Sequence, residues 1–182
     1  FLVLAGLLNA ATLTIAENGT TQYRIVHTVK EQEAAEELKE HLDKISGVDF
    51  KLAEESASGD NKQPAFYVGS TKFAAKNVDL SKFADQEWLV KTVGNDVIIC
   101  GGKTRGTLYG VYELLEREFG CRWFAYDTSF VPEQKKLCLQ DVELRGMPAF
   151  DYREIVDDSY EDFWADKSLY MIKQRFKKRA RA

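Results

Sequence analysis

Residues Ile98 to Phe124 read I-I-C-G-G-K-T-R-G-T-L-Y-G-V-Y-E-L-L-E-R-E-F-G-C-R-W-F, and this stretch decides the fold. Just before the glycines, Val97 to Cys100 is apolar throughout, as a central strand should be. Gly101, Gly102 and Gly106 then mark a tight strand-to-helix turn. From Thr104 to Phe119 the apolar side chains Leu108, Val111, Tyr112, Leu115 and Phe119 recur at helical spacing. Thr104 is placed to cap that helix and Gly120 to end it. Arg122 to Tyr126 reads as a further strand. A helix N-terminus behind a glycine-rich turn can hold a phosphate, because its free N–H groups and dipole favour an anion. The spacing here argues against that use. A P-loop sets four residues between its first glycine and Gly-Lys-Ser/Thr, whereas Gly102-Lys103-Thr104 follows Gly101 directly. The dinucleotide fingerprint G-x-G-x-x-G fails as well, since no glycine stands at its middle position. The turn therefore reads as a packing element. Arg105 reads as a solvated or capping side chain, with a ligand or interface contact as the alternative.

Upstream, Glu31 to Ser46 is a second amphipathic helix. Ala35, Leu38, Leu42 and Ile45 form its apolar stripe, Glu33, Glu36, Glu37, Lys39 and Glu40 its wet face, and Gly47 its stop. Ala11 to Ala16 and Tyr23 to His27 flank Glu17-Asn18-Gly19-Thr20 and read as a strand pair joined by a turn. Phe50 to Ala53 and Ala65 to Val68 are short strands, and Ser70 is placed to cap a short helix through Ala75. Trp88 to Val93 and Val97 to Cys100 bracket Gly94-Asn95-Asp96 as a hairpin. Lys135 to Leu139 and Val142 to Leu144 follow as edge strands. The order gives an α+β fold, an α/β sandwich in which two main helices lie on one face of a mixed sheet.

The text changes at Met147-Pro148. Ala149 to Ile155 reads as a new strand. An acidic patch follows (Asp157, Asp158, Glu161, Asp162), then a basic run with Lys173, Arg175, Lys177, Lys178, Arg179 and Arg181. Both runs read as solvated segments. Phe1 to Ala11 has the length and small-residue ending of a secretory h-region and reads as the remnant of a signal peptide. It is too short to span a bilayer, which needs about 20 apolar residues.

Composition narrows the function classes. With 25 basic and 29 acidic residues the net charge is −4, which gives no reason to expect nucleic acid. Three cysteines without a C-x-x-C pair read as buried thiols, and His27 and His41 lack ligand spacing, so neither metal nor cofactor is expected. Glycosidic hydrolysis needs paired carboxylates. Glu113, Glu116 and Glu118 read as the wet face of the Thr104 to Phe119 helix, and no Ser/His/Asp or Cys/His set is arguable.

Ile98 to Phe124, together with A-A-E-E-L-K-E-H-L-D-K-I-S-G (Ala34 to Gly47), resembles the N-terminal domain of family 67 alpha-glucuronidases and related Bacteroidetes proteins. The same fold forms the second domain of bacterial beta-hexosaminidases. The resemblance covers about residues 12 to 145. It implies no catalysis within the domain, and a downstream (β/α) barrel that carries the carboxylates. Pro148-Ala149-Phe150-Asp151-Tyr152-Arg153-Glu154 then looks like the opening of the first barrel strand. Arg153 and Glu154 would approach the sugar site, because barrel active sites lie at the C-terminal ends of strands. The implied organisation is a signal remnant (1–11), the accessory domain (12–146) and the start of a truncated barrel (147–182). After Tyr160 the chain departs from the family pattern, becomes basic and ends. The expectation is a non-catalytic accessory domain of a secreted or periplasmic glycoside hydrolase acting on polysaccharide or uronic-acid-containing glycans. Its expected partner is the downstream barrel, with no membrane span. The alternative is an independent carbohydrate-binding or interaction module, for which Trp88, Trp123 and Trp164 are the candidate stacking platforms and Trp123 is expected in the core.

Overall fold

The computed structural model describes residues 12–58, 62–103, 105–125 and 128–149. In chain order the elements are β1 (Thr12–Glu17), β2 (Arg24–His27), α1 (Gln32–Ser46), β3 (Lys51–Glu54), β4 (Ala65–Val68), α2 (Lys72–Asn77), β5 (Trp88–Val93) and β6 (Asp96–Gly101). They continue with α3 (Gly106–Arg117), β7 (Arg122–Trp123), β8 (Ser129–Phe130), β9 (Lys136–Gln140) and β10 (Glu143–Gly146).

Six strands form one mixed sheet in the order β10-β5-β6-β4-β2-β3. β2, β3, β4 and β6 run parallel, and β5 is antiparallel to both β6 and β10. The C-terminal ends of β2, β4, β6 and β10 therefore share one edge. β6 is interior, and Val97, Ile98, Ile99 and Cys100 are fully buried, as its unbroken apolar run requires.

Alternation along the strands builds two cores. Ile25, Phe66, Val68, Val90, Val97 and Ile99 point to the face covered by α1 and α3. The helices bring Leu38, Leu42, Ile45, Tyr109, Tyr112 and Leu115 to it, all at most 1% exposed. Each such side chain is worth about 1.5–3 kcal/mol of burial. On the opposite face Leu89, Ile98 and Cys100 meet Ala74 of α2 and the half-buried Phe73, Leu80 and Phe83. Two main helices thus lie on one face, as expected, and a thinner layer covers the other. The amphipathic stripes of α1 and α3 are seated as their spacing predicts, and Gly47 ends α1 in a left-handed conformation (φ 70°).

Several local expectations are corrected. The turn at Glu17–Thr20 forms, with Asn18 and Gly19 at φ 52° and 74°, but β1 and β2 do not pair. β1 pairs with β9 in a separate antiparallel ribbon that carries Leu13, Ile15, Leu137 and Leu139 into the core. All four β2 residues are buried, so β2 takes neighbours on both sides, β3 and β4. The short helix α2 is capped by Thr71, whose hydroxyl accepts from Ala74 N at 3.1 Å, rather than by Ser70. The helix α3 starts at Gly106 with Arg105 in the cap position, and Arg105 makes no side-chain cap bond. Thr104, the expected cap, lies outside the described residues. Of the described part of the expected strand, 122–125, only β7 forms, paired with β8. The readings placed on 1–11 and 150–182 also lie outside the described residues.

Candidate functional site

The glycine-rich turn sits at the edge where the parallel strands end, and its space is already taken. The backbone of Ala84–Glu87 runs directly over it. Gly102 N donates to Glu87 O at 2.8 Å, and Gln86 N to Lys103 O at 3.3 Å. A Cβ built on Gly102 would lie 1.8 Å from Ala84 O, one on Gly106 2.2 Å from Glu87 O, and one on Gly101 2.5 Å from Glu87 O. Real Cβ atoms do not approach so closely, so these glycines exist to let two backbones touch. The position a phosphate would need is filled by the chain itself. An ion pair holds the covering loop: Glu87 Oε1 accepts from Arg145 Nε at 2.6 Å, and its other oxygen accepts from Ala84 N at 2.8 Å. The Arg145 guanidinium, followed by the Ala84 amide, holds the Glu87 carboxyl below its ordinary range.

Next to this turn, the strand order reverses between β2 and β4. In open α/β sheets such a reversal opens a crevice that ligands use. Here Thr28 N donates to Val68 O at 3.3 Å and Gly69 N to Ile99 O at 2.8 Å, which closes the strand ends together. Glu31 lies over Gly69, where an added Cβ would come within 2.5 Å of Glu31 Cγ. Burial pushes the Glu31 carboxyl above its ordinary value, while the Thr107 hydroxyl beside it works in the opposite direction.

The other titratable groups have structural uses. Burial raises the Cys100 thiol to about 12, which removes it as a nucleophile at neutral pH. Burial also raises the Asp96 carboxyl, which accepts from Ala65 N at 2.9 Å and ties β6 to β4. Two surface grooves hold one carboxylate each, Glu17 in one and Asp79 in the other. Glu17 pairs with Lys136 at 3.0 Å and Asp79 with Lys82 at 3.0 Å. A glycosidase needs two carboxylates facing one bond, and neither groove gathers them. Among the described residues no group of three or more His, Cys, Asp or Glu could hold a metal ion. Among them, too, no helix is long and apolar enough to cross a membrane.

Of the residues singled out from sequence, Arg153 and Glu154 lie outside the described residues. Glu113 of α3, read as part of a wet face, has a side chain only 14% exposed and pairs with Arg117 at 2.7 Å. Two of the candidate stacking platforms are withdrawn: Trp88 is 5% exposed and Trp123 7%. Trp88 is sealed by Gly146, where an added Cβ would stand 2.6 Å from its ring. Trp123 meets the edges of His41 and Tyr112 at centroid distances of 5.7 and 5.2 Å. Trp164 lies outside the described residues. Sequence reasoning passed over Glu31, Glu87 and the loop Ala84–Glu87. The one local signal was the glycine set itself, which demands a close neighbour without naming it.

Fold and site together define an α+β domain of the kind carried by large glycoside hydrolases. The solved structure described as CpGH84B is 18% identical over 91% of this chain and 26% of its own, with a TM-score of 0.59. CpGH84D is 15% identical over 79% of this chain and 22% of its own, with a TM-score of 0.54. The GH115 4-O-methyl-alpha-glucuronidase BtGH115A, described as specific for decorated arabinogalactans, is 13% identical over 78% of this chain and 19% of its own, with a TM-score of 0.51. At these identities the likeness is one of fold, and the chain spans about a quarter or less of each structure's length. No curated protein matches. The family described as the glycosyl hydrolase family 67 N-terminus matches residues 8–114, more than half of the chain. The chain belongs to that family.

Proposed function

We propose that this chain is the non-catalytic N-terminal accessory domain of a secreted or periplasmic glycoside hydrolase acting on polysaccharide or uronic-acid-containing glycans. Membership of an N-terminal-domain family over residues 8–114 carries the reading. Two surface grooves that hold a single carboxylate each agree with it, since hydrolysis needs a facing pair. In this reading residues 1–11 are a signal remnant, 12–146 the accessory domain and 147–182 the start of a barrel. Arg153 and Glu154 are then first-strand residues facing the sugar, with the Arg153 guanidinium suited to a uronate carboxylate. The domain's own work is to pack against the barrel.

The test is direct. The purified chain is incubated with a panel of aryl-glycosides that includes a glucuronide. No turnover is expected. Hydrolysis that co-purifies with the chain through successive columns would refute the non-catalytic assignment.

A further inference from the structure

Asn18-Gly19 is the one Asn-Gly pair in the chain. It stands at the tip of the turn that leaves β1, and both residues are exposed. Asn18 takes φ 52° and Gly19 φ 74°, left-handed values that suit this pair. In a hairpin such a turn is held by the ladder that continues from it. Here β1 and β2 do not pair, and the turn is closed by one isolated bridge. Glu17 N donates to Thr20 O and Thr20 N to Glu17 O, both at 3.0 Å. A third bond, Asn18 N to Lys135 O at 3.3 Å, ties the tip to the residue before β9. None of these three uses the Gly19 amide or the Asn18 side chain. A Cβ added at Gly19 would meet no atom within 4 Å, so no packed neighbour holds the tip in one geometry.

We propose that Asn18 is a site of spontaneous deamidation. The Gly19 amide nitrogen gives up its proton to hydroxide and attacks Asn18 Cγ. The new Cγ–N bond closes a succinimide ring. The bond from Cγ to the side-chain nitrogen breaks, and that nitrogen leaves as ammonia, taking a proton from water. A water molecule then opens the ring at either carbonyl. One opening leaves an aspartyl residue at position 18, the other an isoaspartyl residue whose main chain is one carbon longer. Glycine allows the attack because it has no Cβ to crowd the incoming carbon. The left-handed turn must relax toward extended backbone before the nitrogen reaches Cγ, and the bridge and the Lys135 contact are what resist. Either product adds a negative charge beside Glu17, whose carboxylate pairs with Lys136 at 3.0 Å.

Two other asparagines serve as comparators. Asn95 is also exposed in a turn, but the β5–β6 ladder locks that turn by pairing Val93 with Asp96. Its follower, Asp96, carries a Cβ. Asn77 precedes the branched Val78, and its Nδ2 donates to Phe73 O at 2.9 Å.

Ageing the folded chain for days in mildly alkaline buffer tests this, with peptides resolved by mass spectrometry and isoaspartate read by enzymatic methyl transfer. Asn18 should convert severalfold faster than Asn77 and Asn95 and give both products. The rate should fall severalfold in mildly acidic buffer, where the attacking nitrogen keeps its proton. The Asn18→Gln variant, whose side chain needs a larger ring, should lose the isoaspartate signal. A retained Asn18 amide, or conversion no faster than at Asn77 and Asn95, would overturn the proposal. So would an aspartyl product alone, which marks direct hydrolysis by water, a rate indifferent to pH, or isoaspartate that persists in Asn18→Gln. This chemistry is independent of the accessory-domain reading, so turnover of an aryl-glycoside bears on that reading alone.

Discussion

Gly106→Ala sets two effects against each other at one atom. Gly106 is the first residue of α3. By helix propensity alone an alanine there should stabilise the fold by about 0.5–1 kcal/mol. The structure says the opposite. The new Cβ would stand 2.2 Å from Glu87 O, 3.0 Å from Gly101 C and 3.1 Å from Gly101 Cα. All three are backbone atoms, so no rotamer change relieves the clash. Either the loop Ala84–Glu87 lifts or α3 shifts. Lifting the loop stretches the Gly102 N to Glu87 O bond and pulls Glu87 from Arg145. Overpacking of this kind costs about 1–3 kcal/mol, and a weakened hydrogen bond adds about 1 kcal/mol. Set against the propensity gain, the net is roughly 2 kcal/mol of destabilisation. For a domain of this size that is roughly 8 °C in Tm. Urea denaturation followed by tryptophan fluorescence reads it. A Gly106→Ala protein as stable as the parent, or more stable, would show that the turn is not a backbone contact.

Other perturbations separate structural from chemical roles. Burial holds the Glu31 carboxyl above its ordinary value of 4.5, so the folded state keeps that proton to higher pH than the unfolded chain does. Stability from this group therefore declines as pH rises through the window above 4.5. Glu31→Gln should raise the urea midpoint relative to the parent at pH 7 and lose that advantage in acid; a pH-independent difference would contradict the assignment. Cys100 and Cys121 are buried and Cys138 is half-buried, so a disulfide reagent at mild alkaline pH should label Cys138 first and reach the other two only on denaturation. Equal labelling rates would argue that the core opens readily. Thr71→Ala removes the cap of α2 and should cost about 1 kcal/mol, whereas Ser70→Ala should fall within about 0.5 kcal/mol of the parent. The reverse order would restore Ser70 as the cap.

What the sequence made legible depended on range. The helices α1 and α3 could be read because their stripes are written in spacings of three and four, which are local. β6 could be placed at the centre because a run apolar on both faces has nowhere else to go. The partner of β2 could not be read. A turn at Asn18-Gly19 is a local instruction, and it was obeyed, but pairing is chosen by burial across the whole sheet. β9, more than 100 residues later, takes β1 instead. β8 escaped notice because two residues carry no periodicity. At the site, the spacing of Gly101, Gly102 and Gly106 was enough to argue against a nucleotide. It could not say what stood in its place. Nothing in Ala84-Asp85-Gln86-Glu87 marks those residues as the covering segment except Gln86, whose φ of 62° only the structure reveals.

The edge where the parallel strands end is where a doubly wound sheet would bind its ligand, and this molecule uses it differently. Two features usually make that edge a site: free amides at a helix N-terminus and a crevice where strand order reverses. Both are present in the topology, and both are occupied by the chain. The Ala84–Glu87 backbone covers the glycine turn, and Glu31 lies over Gly69 at the reversal. Each occupant is held in turn, Glu87 by Arg145 on β10 and Glu31 by its place at the start of α1. Arg145 matters for a second reason. It sits one residue before Gly146, which packs on the Trp88 ring as the last residue of the sheet. Closing the glycine turn and finishing the sheet are thus one structural event, tied through the ion pair at 2.6 Å. A chain that left the sheet before β10 would lose the clamp on the turn as well as an edge strand. The described residues therefore spend their glycines and carboxylates on holding a frame together, and the exposed rings of Phe124 and Phe130 lie away from that edge, on the ribbon over the helices. In this fold the strand ends that serve chemistry in doubly wound sheets are sealed by the chain itself at the glycine turn and at the reversal.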